Sequence, residues 1–156
     1  MFMFKNQLED LTKDQLVELV LELQNLKLDP LTGCLRREAL RDLPDCRRYV
    51  VAIVDINNLK VINDTFGHLA GDDIIKFVAD MVKSVIRSED TLIRYGGDEF
   101  LTIFNDVNVE QARKIMSRIK TDAATWGIGS ACTLEAAVKA ADEEMYSKKK
   151  KKKGGK

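Results

Sequence analysis

Two acidic residues beside paired glycines carry the chemistry suggested by this chain. They lie in Arg94-Tyr95-Gly96-Gly97-Asp98-Glu99-Phe100. Apolar runs flank the segment, Thr91-Leu92-Ile93 before it and Leu101 to Phe104 after it. Two such runs joined by a glycine turn predict a β-hairpin. Gly96 and Gly97 bear no Cβ, so a ligand can come close to the backbone there. Carboxylates at the hairpin tip are hard oxygen donors suited to Mg²⁺ beside a phosphate chain. A lone Gly-Gly-Asp segment would be only a turn.

A third acid, Asp55, follows the apolar run Tyr49 to Val54. That run has the character of a central strand covered on both faces, and ligands of open α/β sheets gather at the carboxyl ends of strands. If this strand and the hairpin are neighbours, Asp55 and Asp98 form a paired carboxylate site. A second metal would help stabilise both the attacking and the leaving oxygen in phosphoryl transfer. The backbone amides of Ile56, Asn57, Asn58 and Leu59 lie between strand and helix, where they can cradle phosphate. Lys60 adds a positive charge.

The positioning elements follow from periodicity. Thr12 and Gln15 form a capping box for a helix over about 13–26, with Leu11 and Leu16 as its staple. Leu16, Leu19, Leu23 and Leu26 share heptad spacing, which suits a dimerisation stalk or a helix packed on its own domain. Asp29-Pro30 ends the helix. A short helix is expected over Arg36 to Leu43. Another runs from Asn58 to Phe66 and ends at Gly67. A longer one is expected to begin at Asp72 and Asp73, burying Ile75, Val78 and Val82. Asn108 and Gln111 cap a further helix. Thr125 to Ala131 is read as a strand interrupted by Gly127 and Gly129. Thr133 caps the last helix. The order of elements predicts an α/β layered domain with a central mixed or antiparallel sheet flanked by helices. Three divisions are expected: residues 1–28 as an N-terminal helix, 29–149 as the layered domain, and 150–156 as a lysine-rich tail.

The 156 residues suit one domain with a real core. Net charge is zero overall. Without Lys148 to Lys153 and Lys156, however, 18 basic residues face 25 acidic ones, a net charge of −7. An acidic body argues against nucleic-acid binding, and the lysine run is read as a solvated tail. Cys34, Cys46 and Cys132 have no metal-ligand spacing, and an odd number of thiols suggests a reducing, cytoplasmic setting. No stretch is apolar enough to span a membrane. Trp126 and the methionines are expected in the core, and His68 alone would be structural more often than catalytic.

Taken together, the motifs resemble the GGDEF-type diguanylate cyclases. Five segments carry the resemblance, in order: Asp29-Pro30-Leu31-Thr32-Gly33, Asp55 to Asp64, Phe66-Gly67-His68 with Gly71-Asp72, Gly96 to Phe100, and Ala141-Asp142 with Met145-Tyr146 and Lys149. The resemblance implies a nucleotidyl-cyclase-like palm that joins two GTP into cyclic di-GMP. It requires Mg²⁺, with Mn²⁺ as a possible substitute, and a homodimer holding one GTP per subunit. Asp55, the Ile56 carbonyl and Asp98 would be metal ligands. Asp98, assisted by Glu99, would activate the attacking 3′-hydroxyl. Asn63 and Asp72 would read guanine, with His68 near them, and Lys60 and Lys149 would contact phosphate. Arg87 and Asp90, an Arg-x-x-Asp upstream of the hairpin, match an inhibitory product site. Asn57 stands where the family commonly has an acid, and the connection at 121–124 is shorter than usual. Two other readings remain: a silent module binding GTP or cyclic di-GMP, and an interaction domain built on the leucine helix.

Overall fold

The computed structural model describes residues 12–25, 27–43 and 48–154. Helix α1 spans Lys13–Asn25. The predicted capping box is present: Thr12 N donates to Gln15 Oε1 and Gln15 N to Thr12 Oγ1. Leu11, Leu26 and the side chains of Leu19 and Leu23 lie outside the description, and so do the leucine seam and Cys46. The first strand, β1, is short (Leu35–Arg36) and leads into a 3₁₀ turn over Arg37–Asp42.

Strand β2, Tyr49–Ile56, is the apolar run recognised in the sequence, extended by two residues. Asp55 is therefore inside the strand rather than after it. The chain continues through α2, Leu59–Phe66, and α3, His68–Val85. Helix α3 begins four residues earlier than Asp72 because Gly67, at φ 87°, turns the chain directly from one helix into the next. That left-handed backbone favours glycine. The predicted hairpin follows as β3, Thr91–Arg94, and β4, Glu99–Phe104. Helix α4, Val109–Met116, carries both bonds of its Asn108–Gln111 capping box. Strand β5 covers Ala124–Ala131, and α5 covers Leu134–Gly154.

The sheet order is β1-β3-β4-β2-β5. Among the described residues only the β1–β3 pair is parallel, so of the expected mixed or antiparallel sheet the mixed form is found. Alternation along β2 divides the core. Val50, Ala52, Val54 and Ile56 pack with Ile75, Val78 and Val82 of α3 and Met116 of α4. Val51 and Ile53 pack with Ala137, Ala141 and Met145 of α5.

Two sequence expectations change for physical reasons. Gly127 and Gly129 do not interrupt β5. A Cβ on Gly127 would meet the Ala141 carbonyl oxygen at 2.1 Å, and one on Gly129 would meet that of Ala137 at 2.0 Å. The glycines let α5 lie directly on the strand. The lysine run is also not a detached tail at its start. Helix α5 continues through it, and Lys148, Lys149 and Lys152 face Glu144, Asp55 and Asp122.

Candidate functional site

The acids assemble where β2 and β4 end together. Asp55 stands opposite Glu99 in the antiparallel ladder, so their side chains share one face of the sheet. The Ile56 amide donates to the Asp98 carbonyl at 2.9 Å, tying the hairpin loop to the end of β2. On the α5 side of the sheet, the Lys149 ammonium pairs with the Asp55 carboxylate.

Burial raises the Asp55 pKa above the ordinary carboxylate range, and the charges of Asp98 and Asp142 add to this. The Lys149 ammonium opposes both effects. Burial likewise raises Glu99, helped by Asp55, Asp98 and Asp142. These carboxylates repel one another and would gain from a cation placed among them. Among the described residues, no three acidic, histidine or cysteine side chains form a complete metal cluster. Carboxylate oxygens are hard donors, the type that Mg²⁺ takes in small number beside water and phosphate oxygens.

On the other side of the hairpin loop lies a cleft of about 450 Å³. It is lined by Leu59, Lys60, Asn63 and His68 from the helices and by Gly97 and Asp98 from the loop, among others. Asp72 is not a lining residue, but it lies four residues after His68 and three before Ile75, which both are; that spacing puts the three on one helix face. Gly71 sets the position of Asn63, since a Cβ there would come within 1.8 Å of Asn63 Oδ1. A Cβ on Gly97 would meet nothing within 4 Å. Gly96 lies against the Glu99 carboxylate.

The phosphate cradle is narrower than the sequence suggested. The Ile56 amide is bonded to Asp98, and the Asn57 amide donates to the Ala123 carbonyl at 2.7 Å. Asn57 also spans the short connection, with Nδ2 donating to the Asp122 carbonyl and Oδ1 accepting from Thr125. The cradle is left to Asn58, whose φ is 57°, and to the first amides of α2, which lack intrahelical acceptors.

Arg87 and Asp90 are close, but the Asp90 carboxylate is turned inward. The Asp90 side chain is fully buried. Its carboxylate accepts from the Arg87 and Asn105 amides, both at 3.0 Å. Asp90 therefore holds the turn by giving two part-buried amides an acceptor. Arg87 is about half exposed; its guanidinium lies 3.5 Å from Asp90 and donates to the Asn105 carbonyl. Both residues border a second cleft, of about 480 Å³, that also holds Lys83.

Sequence reasoning missed Arg94 and Asp29 as supports of the hairpin. Arg94 donates to both Asp29 oxygens, at 3.0 and 3.1 Å, and to the Gly97 carbonyl at 2.8 Å. Burial would raise Asp29, but hydrogen bonds from Thr32 and the Arg94 charge outweigh it and hold the carboxyl below its ordinary range. Asp29 and Arg94 were visible in the motifs, but their pairing depends on the fold. Asp142 was visible in the closing motif, yet its closeness to Asp55 and Glu99 was not.

The family model described as the diguanylate cyclase GGDEF domain matches residues 27–128. The chain is 35% identical over 106 residues to the diguanylate cyclase DgcP of Pseudomonas aeruginosa, covering 62% of this chain and 16% of that protein. It is 42% identical over 73 residues to the probable diguanylate cyclase DgcE of Escherichia coli, covering 47% of this chain and 7% of that protein. The chain thus spans less than a fifth of either relative. The coiled coil and GGDEF domain of DgcB from Caulobacter crescentus, solved in complex with c-di-GMP, shares the fold at a TM-score of 0.76. That likeness covers 92% of this chain and 90% of the other, at 22% identity. From the hairpin acids, the first-strand acid and the matching domain model together, the chain belongs to the GGDEF-domain diguanylate cyclase family.

Proposed function

We propose that this chain is a diguanylate cyclase that condenses two GTP into cyclic di-GMP and releases two pyrophosphates. The observation that carries the reading is the meeting of Asp55, Asp98 and Glu99 at one end of the sheet, beside a cleft lined by Asn63 and His68. Asn63 offers both a donor and an acceptor to the guanine edge. Asp72, one turn beyond His68, accepts from guanine N–H groups. The Asn58 and Leu59 backbone, Lys60 and Lys149 hold the triphosphate, and Gly96 and Gly97 let it lie against the hairpin.

The 3′-hydroxyl of each GTP attacks the α-phosphate of the other. Asp98 accepts the hydroxyl proton, and Glu99 supports it. Pyrophosphate leaves as each new ester bond forms. Mg²⁺, or Mn²⁺ in its place, would be held by Asp55 and Asp98 with the Ile56 carbonyl, and it supplies neutralisation of phosphate charge. Alignment of the two nucleotides supplies much of the remaining rate gain.

One subunit contains half of this reaction, so two copies must face each other. The segment over residues 1–28 is assigned as the dimer stalk; α1 leaves Leu16, Val17, Val20 and Leu21 exposed. The domain over 29–149 carries catalysis, with the lysine-rich segment 150–156 after it. The cleft beside Arg87 is assigned to inhibitory product: Arg87 and Lys83 supply positive charge, and Asp90 supports Arg87 from behind. No described helix is long and apolar enough to cross a membrane. A cytoplasmic location suits the free thiols of Cys34 and Cys132.

Asp98→Ala tests the assignment. Pyrophosphate release from GTP should fall about a hundredfold or more, while the thermal transition stays within a few degrees because Asp98 is exposed. Undiminished release would defeat the assignment. Tight GTP binding with no product from the unaltered protein would favour the silent binding module.

A further inference from the structure

The last turns of α5 carry a second group of charges outside the cleft. Glu144 accepts two hydrogen bonds from Arg113 of α4, at 2.6 and 2.8 Å. Lys148 Nζ, one helical turn on, lies 2.7 Å from the same carboxylate. It also donates to the Trp126 carbonyl at 3.0 Å and sits 3.7 Å from the centroid of the Trp126 ring. Helices α4 and α5 and strand β5 are therefore joined around one carboxylate. A bidentate arginine–carboxylate contact fixes direction as well as charge.

Lys149, paired with Asp55, is the next residue. Trp126 stands opposite Val54, and Asp55 follows Val54 on β2. The clamp thus grips the structure one residue away from the Lys149–Asp55 pair, along the helix and along the sheet. Apolar anchoring of α5 ends at Met145, the last buried residue described in the helix. Beyond it, among the described side chains, Lys148, Lys149 and Lys152 hold the helix to the domain. A lysine has a long flexible stem, so the reach of Lys149 depends on where its backbone is held.

We propose that Glu144 is a positioning residue for the nucleotide site: by clamping Arg113 and Lys148 it fixes the end of α5 and aims Lys149 at Asp55 and at the phosphates of bound GTP. This rests on the GTP reading given above. Glu144 touches neither substrate nor the reacting atoms. It acts through Lys149, and the sign of that role is energetic coupling between the two residues.

A double-mutant cycle measures the coupling. Binding of a GTP analogue with a methylene bridge between the α- and β-phosphates is titrated calorimetrically in Mg²⁺. The proteins are the unaltered chain, Glu144→Gln, Lys149→Ala and the double variant. Glu144→Gln should weaken binding about fivefold, Lys149→Ala about tenfold, and the double variant no more than Lys149→Ala alone. Arg113→Gln frees the same carboxylate from the α4 side, should match Glu144→Gln, and serves if that variant fails to fold. Unchanged binding by a folded Glu144→Gln or Arg113→Gln, or an undiminished effect in the Lys149→Ala background, would overturn the inference and leave the clamp a structural tie. Failure of the unaltered protein to bind would instead overturn the GTP reading, and this inference with it. Trp126, the single tryptophan, gives a separate readout. Its emission should shift in Glu144→Gln, because Lys148 leaves the indole face, and an unshifted spectrum counts against the clamp.

Discussion

Asn63 shows how strongly one residue can depend on the absence of atoms at another. Its side chain occupies the space that a Cβ on Gly71 would need. Gly71→Ala places a methyl group against Asn63 Oδ1 and turns the amide away from the cleft. Alanine is favoured over glycine in a helix by about 1 kcal/mol, so the thermal transition should hold or rise. GTP binding should weaken about tenfold, because a site built to hydrogen-bond its ligand loses that partner. Unchanged affinity with an unchanged fold would remove Asn63 from the proposed guanine pocket. At this scale the sequence was informative about placement where a motif fixed both residue type and spacing: Asp55 ends up beside the hairpin, and Asn63 and Asp98 line one cleft. It was less informative where burial decides the role. Asp90 has the right type and position for a ligand contact, yet its carboxylate serves two backbone amides.

Among the elements, α5 on β5 is the joint on which the site depends. Gly127 and Gly129 bring helix backbone to strand backbone, and Ala137 and Ala141 lie at that contact. Gly127→Ala cannot be absorbed by a side-chain rotation, since the nearest atoms are backbone. It should destabilise the domain by about 2–3 kcal/mol, read by urea unfolding. A loss below about 0.5 kcal/mol would show that the helix is not seated this closely. The Arg113–Glu144 tie has a pH signature. Hydrogen bonds from Arg113 lower Glu144 from 4.5 to about 2. Its folded pKa lies below its unfolded one, so the added stability is present above about pH 4.5 and is lost as pH falls toward 2. The difference in thermal transition between the unaltered protein and Glu144→Gln should therefore be full at pH 6 and shrink steadily below pH 4.5. A difference that does not change with pH would contradict the ion-pair account. Local sequence could not reveal this joint. The glycines looked like breaks in a strand and the lysines like a tail, because their partners lie elsewhere in the chain.

Over the whole molecule, the layered fold was readable because its strongest signals are local. A continuous apolar run marked β2, glycines flanked by apolar residues marked the hairpin, and capping boxes marked α1 and α4. The order of those elements sufficed for a mixed or antiparallel sheet flanked by helices. What required coordinates was the division of labour between the two faces of the sheet. Asp55 and Glu99 lie on the α5 side, while Asp98 borders the cleft of α2 and α3. The site thus straddles the end of the sheet, and Arg94 links its loop to Asp29, shortly after α1. On the proposed reading, one subunit holds half of the reaction. The most direct measurement of the central claim is mass analysis of products from GTP and Mg²⁺, repeated across a wide range of protein concentration. The account predicts cyclic di-GMP, with initial rate rising as the square of protein concentration until the dimer saturates. Nucleotide binding with no cyclic di-GMP at any concentration would contradict it, as would a strictly linear rate at concentrations where the protein is monomeric.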